Sequence, residues 1–256
     1  MSLYYDLVPT GIPGLDEVLG GGLIRGGRTY LISGETGTGK TLLSLSFLIN
    51  GIYKYGEPGI YVSVDETYDQ LMNGVRRFGW DLEALRENGY MEILIPEMDI
   101  IEKIREKDPI TIAKSLVYTI ADYSKTLNAQ RLVIDPIAPL VTLEKDVQVL
   151  REYIRALVMG IEKEVGVTTI ITTEIPTGAK VISRYGVEEF LAAGVFVMGG
   201  LAQTTEGDFK RYLFIRKMRW QAVQPTILEV EIQPKMGIVV KGPLKDVHIP
   251  FYALMM

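Results

Sequence analysis

Eight residues constrain the fold of this chain more than any others. Gly34-Glu35-Thr36-Gly37-Thr38-Gly39-Lys40-Thr41 fits the pattern G-x-x-x-x-G-K-[ST]. Its glycines let the backbone curl so that successive N–H groups converge on one anion. Lys40 adds a point charge that can reach the β- and γ-phosphates of a nucleotide, and the Thr41 hydroxyl can ligate Mg²⁺. The pattern carries this meaning only between a strand and a helix. Thr29 to Ser33 (TYLIS), directly before it, is a β-branched apolar run, and Lys40 to Tyr55, directly after, has a helical period. The positive end of that helix falls at the same place as the converging amides. ATP or ADP with Mg²⁺ is the expected ligand, and a plain glycine-rich turn is the competing reading.

The rest of the chain repeats the alternation that this loop requires. Ile60 to Val64, Glu92 to Ile95, Arg131 to Asp135 and Thr168 to Thr172 are short apolar runs that read as buried strands. Between them, Thr67 to Gly79 reads as a helix. So do the stretch around Ile112, Leu116, Val117, Ile120 and Leu127 and the stripe Val147, Leu150, Ile154, Leu157, Val158 and Ile161. Such alternation predicts right-handed βαβ units and a parallel sheet covered on both faces. The last quarter changes character. Val195 to Met198, Tyr212 to Lys217, Ile227 to Ile232 and Gly237 to Val240 read as strands with turns at Thr204 to Asp208 and Lys235 to Gly237, which predicts hairpins. The expected class is α/β, a mostly parallel sheet extended by antiparallel C-terminal strands. Glu97 to Pro109 is a charged connection. No linker or repeat divides residues 1–256, so one domain is expected.

Two further acidic positions fit phosphoryl chemistry. A P-loop protein needs a carboxylate at the end of a neighbouring buried strand to hold Mg²⁺, and Asp135 ends the run LVID. The alternative is a helix N-cap. Hydrolysis also needs a carboxylate to orient or deprotonate water. Asp65 and Glu66 close the second strand, and strand alternation predicts that only one of them faces the γ-phosphate. Both could instead cap the helix near Thr67. Thr172, Thr173 and Glu174 end another strand, where they could either sense the γ-phosphate or lie solvated.

Composition removes several classes. The chain lacks cysteine, so disulfides and thiolate chemistry are excluded, and its one histidine, His248, argues against zinc. A net charge of -5 argues against a dedicated duplex-DNA binder. No apolar stretch approaches the ~20 residues of a membrane helix, and no signal peptide is visible. A soluble, cytoplasmic protein is expected. Tyr4, Tyr5 and the apolar tail Ile249 to Met256 could dock on a neighbouring subunit or on their own core. Arg76 and Arg77 read as an exposed helix face.

Several blocks resemble the KaiC-like ATPases of the RecA/RadA superfamily. They are TGIPGLDEVLGGGLIRG (from Thr10), GETGTGKT (from Gly34), GEPGIYVSVDET (from Gly56), FGWDL (from Phe78), RYGVEEF (from Arg184) and KMR (from Lys217). Together they span nearly the whole chain. The resemblance implies a RecA-like αβα core and a hexameric ring with ATP between subunits. It places the catalytic acidic pair on Asp65 and Glu66, where the family usually has two glutamates. It places a K-x-R motif that reaches the neighbour's γ-phosphate on Lys217 and Arg219. The period of two along Leu213, Ile215, Lys217 and Arg219 puts both cations on one face, which equally suits a protected edge strand. The segment EEFLAAG offers no Ser or Thr where the clock protein's second half has phospho-acceptors, so autophosphorylation is not implied. Glu174 and Trp220-Gln221-Ala222 also depart from the usual residues.

Two other functions fit the sequence. One is a single-strand nucleic-acid-binding recombination accessory, using Gly178, Lys180, Arg184 and Tyr185 in the loop from Ile175. The other is a slow nucleotide-dependent switch acting on a protein client, whose identity nothing in the sequence indicates.

Overall fold

The computed structural model describes residues 6–95, 108–137, 146–204, 209–245 and 247–248. Six parallel strands form the heart of one sheet: β3 (Arg28–Gly34), β4 (Gly59–Ser63), β5 (Met91–Leu94), β6 (Arg131–Asp135), β7 (Thr168–Glu174) and β8 (Gly194–Thr204). Antiparallel β9 (Phe209–Met218), β10 (Thr226–Gln233) and β11 (Gly237–Pro243) extend it, giving the order β11-β10-β9-β8-β3-β7-β6-β4-β5. The expected class is therefore observed. A separate pair, β1 (Leu7–Val8) with β2 (Leu23–Ile24), and the short β12 (Val247–His248) on β8 carried no sequence signal.

The period of two along each buried strand feeds two cores. Tyr30, Ile32, Tyr61, Val133 and Ile170 face a layer made by α2 (Lys40–Tyr55), α3 (Tyr68–Arg76) and α4 (Leu82–Glu87). Leu31, Ile60, Val62, Leu132, Ile134 and Ile171 face α5 (Pro109–Leu127) and α6 (Val147–Gly160), which runs into a π turn at Ile161–Val165. Helix ends follow local chemistry. Asp108 caps α5 by accepting from Thr111 N at 3.0 Å, with Pro109 at the first turn where no N–H is needed. Left-handed Gly56 (φ 64°) stops α2. The first part of the charged connection, up to Lys107, lies outside the described residues. So do Tyr4, Tyr5, the tail from Ile249 and all of the turn from Thr204 to Asp208 except Thr204 itself.

One buried ion cluster ties the amino-terminal arm to the sheet. Arg131, at the start of β6, is fully buried. Its Nε donates to Glu57 at 2.7 Å, Nη1 to the Phe47 carbonyl at 2.8 Å and Nη2 to the Pro9 carbonyl at 2.8 Å. The guanidinium lies 4.5 Å over the Phe47 ring, a cation–π contact. The other oxygen of Glu57 takes Arg25 at 2.8 Å. Gly51 is required here, because a Cβ would sit 2.2 Å from Arg131 Nε. Among the described residues, no helix is long and apolar enough to cross a membrane.

Candidate nucleotide-binding site

The loop Gly34–Thr41 runs from the end of β3 into α2 as the pattern requires. Gly37 (φ 79°) and Gly39 (φ 107°) take left-handed conformations that favour glycine. Gly34 needs its missing side chain for another reason, since a Cβ would lie 2.4 Å from the Met198 carbonyl. Thr38 is buried and donates its hydroxyl to the Glu35 carbonyl at 2.9 Å, bracing the curl. Lys40 Nζ donates to the carbonyls of Gly34 and Glu35, both at 2.9 Å. Burial lowers the Lys40 pKa, while Glu174 and Asp135 oppose that shift.

Asp135 lies at the end of β6, beside Ser63 on β4. It is nearly buried, and two hydroxyls hold it: Tyr61 Oη donates to Oδ2 at 2.9 Å, and Thr172 Oγ1 donates to Oδ1. Among the described residues it caps no helix. The sequence raised Thr172 as a γ-phosphate sensor or a solvated strand end, and it is buried against Asp135; Tyr61 was not singled out. Tyr61 read as an ordinary strand aromatic. Only the adjacency of β4, β6 and β7 shows that it and Thr172 share a face with Asp135.

Asp65 and Glu66 both border the same cleft, of about 490 Å³, together with Thr36, Gly39, Lys40, Thr41, Asp135 and Glu174. Strand alternation predicts that only one faces the γ-phosphate, but both line the cleft. β4 ends at Ser63, and residues 64–66 form a bend, where strand alternation no longer applies. Neither carboxylate caps α3. Thr67 does so, accepting from Gln70 N at 3.4 Å while Gln70 Oε1 accepts from Thr67 N at 3.0 Å. Asp65 is pushed above the usual carboxylate range by burial, then by Glu174 and Asp135. Glu66 is pushed up by burial, then by Asp135 and Asp65.

Glu174 is partly solvated, its side chain 40% exposed, yet it has partners. It accepts from Thr36 Oγ1 at 3.3 Å and pairs with Arg184 at 3.6 Å. Glu35 in turn accepts from Gly178 N at 3.2 Å. The loop from Ile175 to Tyr185 thus folds toward the phosphate loop, and Arg184 is engaged with the protein's own acid. A larger groove of about 870 Å³, between α5 and α6, opens near Gly27 and Arg28 at the other end of β3. It mixes Lys114 and Lys125 with Asp122 and Glu162 and has no anion-binding loop.

Lys217 and Arg219 lie apart from the cleft. Lys217 is in register with Val195, which is in register with Leu31, three residues before Gly34. At ~3.3 Å per residue and ~4.8 Å per strand, this is about 14 Å from the start of the loop, toward the opposite end of the sheet. Both side chains rest on main-chain carbonyls around α7 (Glu188–Leu191). Lys217 Nζ donates to Glu189 O and Ala192 O, each at 2.7 Å, and Arg219 Nη2 donates to Phe190 O at 3.0 Å. Burial, then Arg219, lowers the Lys217 pKa to about 8.

The residues suit a magnesium nucleotide. Asp65, Glu66, Asp135 and Glu174 gather around a cleft whose lysine is turned to its own loop, so a cation would relieve the crowding. Thr41 and Asp135 are the groups that would hold it, and the open glycine curl would take phosphate oxygens.

A family model described as "ATPase: KaiC" matches residues 8–245. The circadian clock oscillator protein KaiC of Parathermosynechococcus lividus is 37% identical over 204 residues, 79% of this chain and 36% of its own length. That of Synechococcus elongatus is 37% identical over 213 residues, 82% of this chain and 39% of its own. The chain thus spans less than half the length of these relatives. A crystal structure of a KaiC-like protein from Pyrococcus horikoshii OT3 superposes with a TM-score of 0.77 at 37% identity, covering 93% of this chain and 99% of that one.

Proposed function

We propose that this chain, which belongs to the KaiC ATPase family, binds ATP with Mg²⁺ at Gly34–Thr41 and hydrolyses it at a site that a second copy completes. The observation that carries the reading is the convergence of the glycine curl, Lys40, Asp135 and the Asp65–Glu66 pair on one cleft. The main-chain amides of residues 34–41 cradle the phosphates. Lys40 exchanges its two carbonyl partners for phosphate oxygens and holds the charge that builds on the departing diphosphate. Thr41 and Asp135 would hold the Mg²⁺ ion, which would supply electrostatic stabilisation of the transferring phosphoryl group. The Asp65–Glu66 pair orients water in line with the γ-phosphorus and takes its proton. An oxygen–phosphorus bond forms, the β–γ bridge breaks, and ADP leaves. Burial and neighbouring carboxylates raise both pKa values, which makes the pair a stronger base than an ordinary carboxylate.

Lys217 and Arg219 stand too far along the sheet to serve their own chain's nucleotide. We assign them to the γ-phosphate of a neighbouring copy, where an arginine supplied in trans stabilises transition-state charge. A closed ring of six is the assembly proposed.

The test uses three variants. Lys40→Ala is expected to abolish binding of a fluorescent ATP analogue. Asp65→Asn with Glu66→Gln is expected to bind ATP normally and turn over roughly 10²–10⁴ times more slowly. Unimpaired hydrolysis by that double variant refutes the assignment of the base. Arg219→Ala is expected to be inactive alone and to regain turnover when mixed with the acid-pair variant. Addition of single-stranded DNA is expected to leave turnover unchanged.

A further inference from the structure

β7 ends by addressing two places at once. Thr172 and Glu174 point to the phosphate-loop face, toward Asp135 and Thr36. Thr173, between them, points to the other face and donates its hydroxyl to Glu188 Oε1 at 3.1 Å. Glu188 is fully buried and has no ion-pair partner among the described residues. Both its oxygens are filled by uncharged donors. Oε1 also takes Tyr185 N at 3.4 Å and Oε2 takes Val187 N at 3.1 Å, while the Ser183 hydroxyl, with one proton, is shared between Glu188 Oε2 at 2.8 Å and the Glu189 carboxylate. A buried carboxylate without a cation is costly, and three donors spent on it, with a share of a fourth, imply that its position matters.

The position is informative. Glu188 opens α7, whose carbonyls at Glu189 and Phe190, with the next one at Ala192, are the shelf on which Lys217 and Arg219 rest. The Arg219 backbone N–H also donates to Ala193 O at 2.7 Å. The proposed nucleotide site of one copy is thereby joined to the cations that copy offers a neighbour, through Thr173, Glu188 and one turn of helix.

We infer that Glu188 is a positioning residue: anchored by Thr173, it fixes the carbonyl shelf that aims Lys217 and Arg219 at the adjacent copy's nucleotide. This rests on the two-copy site proposed above. It makes Glu188 act on hydrolysis in a neighbour, not in its own cleft.

Glu188→Gln keeps the shape but turns one acceptor into a donor facing donors. Thr173→Val keeps the shape and removes the β7 anchor. Each is expected to lower kcat by about ten- to a hundredfold, the scale for misplaced catalytic groups, with KM and nucleotide affinity unchanged. Thr173→Ser restores the rate. The deciding measurement mixes subunits of Glu188→Gln with subunits of Asp65→Asn/Glu66→Gln. Turnover recovers, because the acid-pair copies lend intact cations to intact clefts. Arg219→Ala in place of Glu188→Gln is the control. Recovery in the control without recovery for Glu188→Gln overturns the inference and leaves the two-copy site standing. Failure of both mixtures overturns both. If Glu188→Gln does not fold, Thr173→Val takes its place in the mixture with the same outcomes.

Discussion

At the start of β6, Arg131 is wrapped by Glu57, two main-chain carbonyls and an aromatic ring. Four residues further on, on the same face, Asp135 has two hydroxyls and, around it, three more carboxylates. The first end is neutralised internally. At the second, Asp65, Glu66, Asp135 and Glu174 crowd together while Lys40 serves its own loop carbonyls and Arg184 pairs with Glu174 and acts on Asp65 only through space. One strand thus separates two uses of buried charge. Charge that the protein satisfies itself holds the arm, α2 and the sheet together. Charge left under-compensated would suit a metal and a nucleotide, and the pKa values of Asp65 and Glu66 are raised by burial first and by the neighbouring carboxylates second.

The contrast breaks if either end behaves like the other. Removal of one partner from a buried ion pair costs about 3–5 kcal/mol, so Arg131→Met is expected to lose that much in denaturant unfolding while the folded fraction binds ATP normally. Combining it with Glu57→Leu is expected to recover most of the loss. Asp135→Asn is expected to do the reverse. Turnover falls by roughly 10²–10³, a loss of several kcal/mol of metal-assisted stabilisation, while the unfolding midpoint shifts little. A large loss of stability in Asp135→Asn, or of affinity in Arg131→Met, breaks the division.

A smaller effect sharpens it through pH. A carboxylate with a raised pKa is protonated, and lost as a base, at a higher pH than an ordinary carboxylate. A lysine with its pKa lowered to about 8 is charged below that value and neutral above it. Activity is therefore expected to fall on the acid side as the Asp65–Glu66 pair protonates, and on the basic side as pH rises through about 8. Lys217→Arg, which stays charged, is expected to push the basic limb upward in a kcat/KM profile. An unmoved limb removes Lys217 from the reaction.

The sequence made the strand–loop–helix and the strand-end acids legible because each is a short-range pattern. Lys40 to Tyr55 and Arg131 to Asp135 were bounded as the structure bounds them. Partnerships between distant strands were not legible. Arg131 read as an ordinary strand start, and Glu57 lies 74 positions away. Glu188 stood inside a quoted block, yet nothing local says that the first glutamate of RYGVEEF is sealed in and the second is not. Alternation does not decide which way the acidic pair faces, because the β4 ladder ends at Ser63, before it.

The register that sets Lys217 and Arg219 near one rim of the sheet, and the glycine curl at the other, gives the protomer polarity. In the proposed assembly each copy is a donor to one side and an acceptor on the other, so contacts are head-to-tail. A chain of such contacts that fails to close leaves one cleft without cations and one pair of cations without a cleft. Specific activity then depends on closure itself: it drops on dilution more steeply than occupancy by nucleotide does.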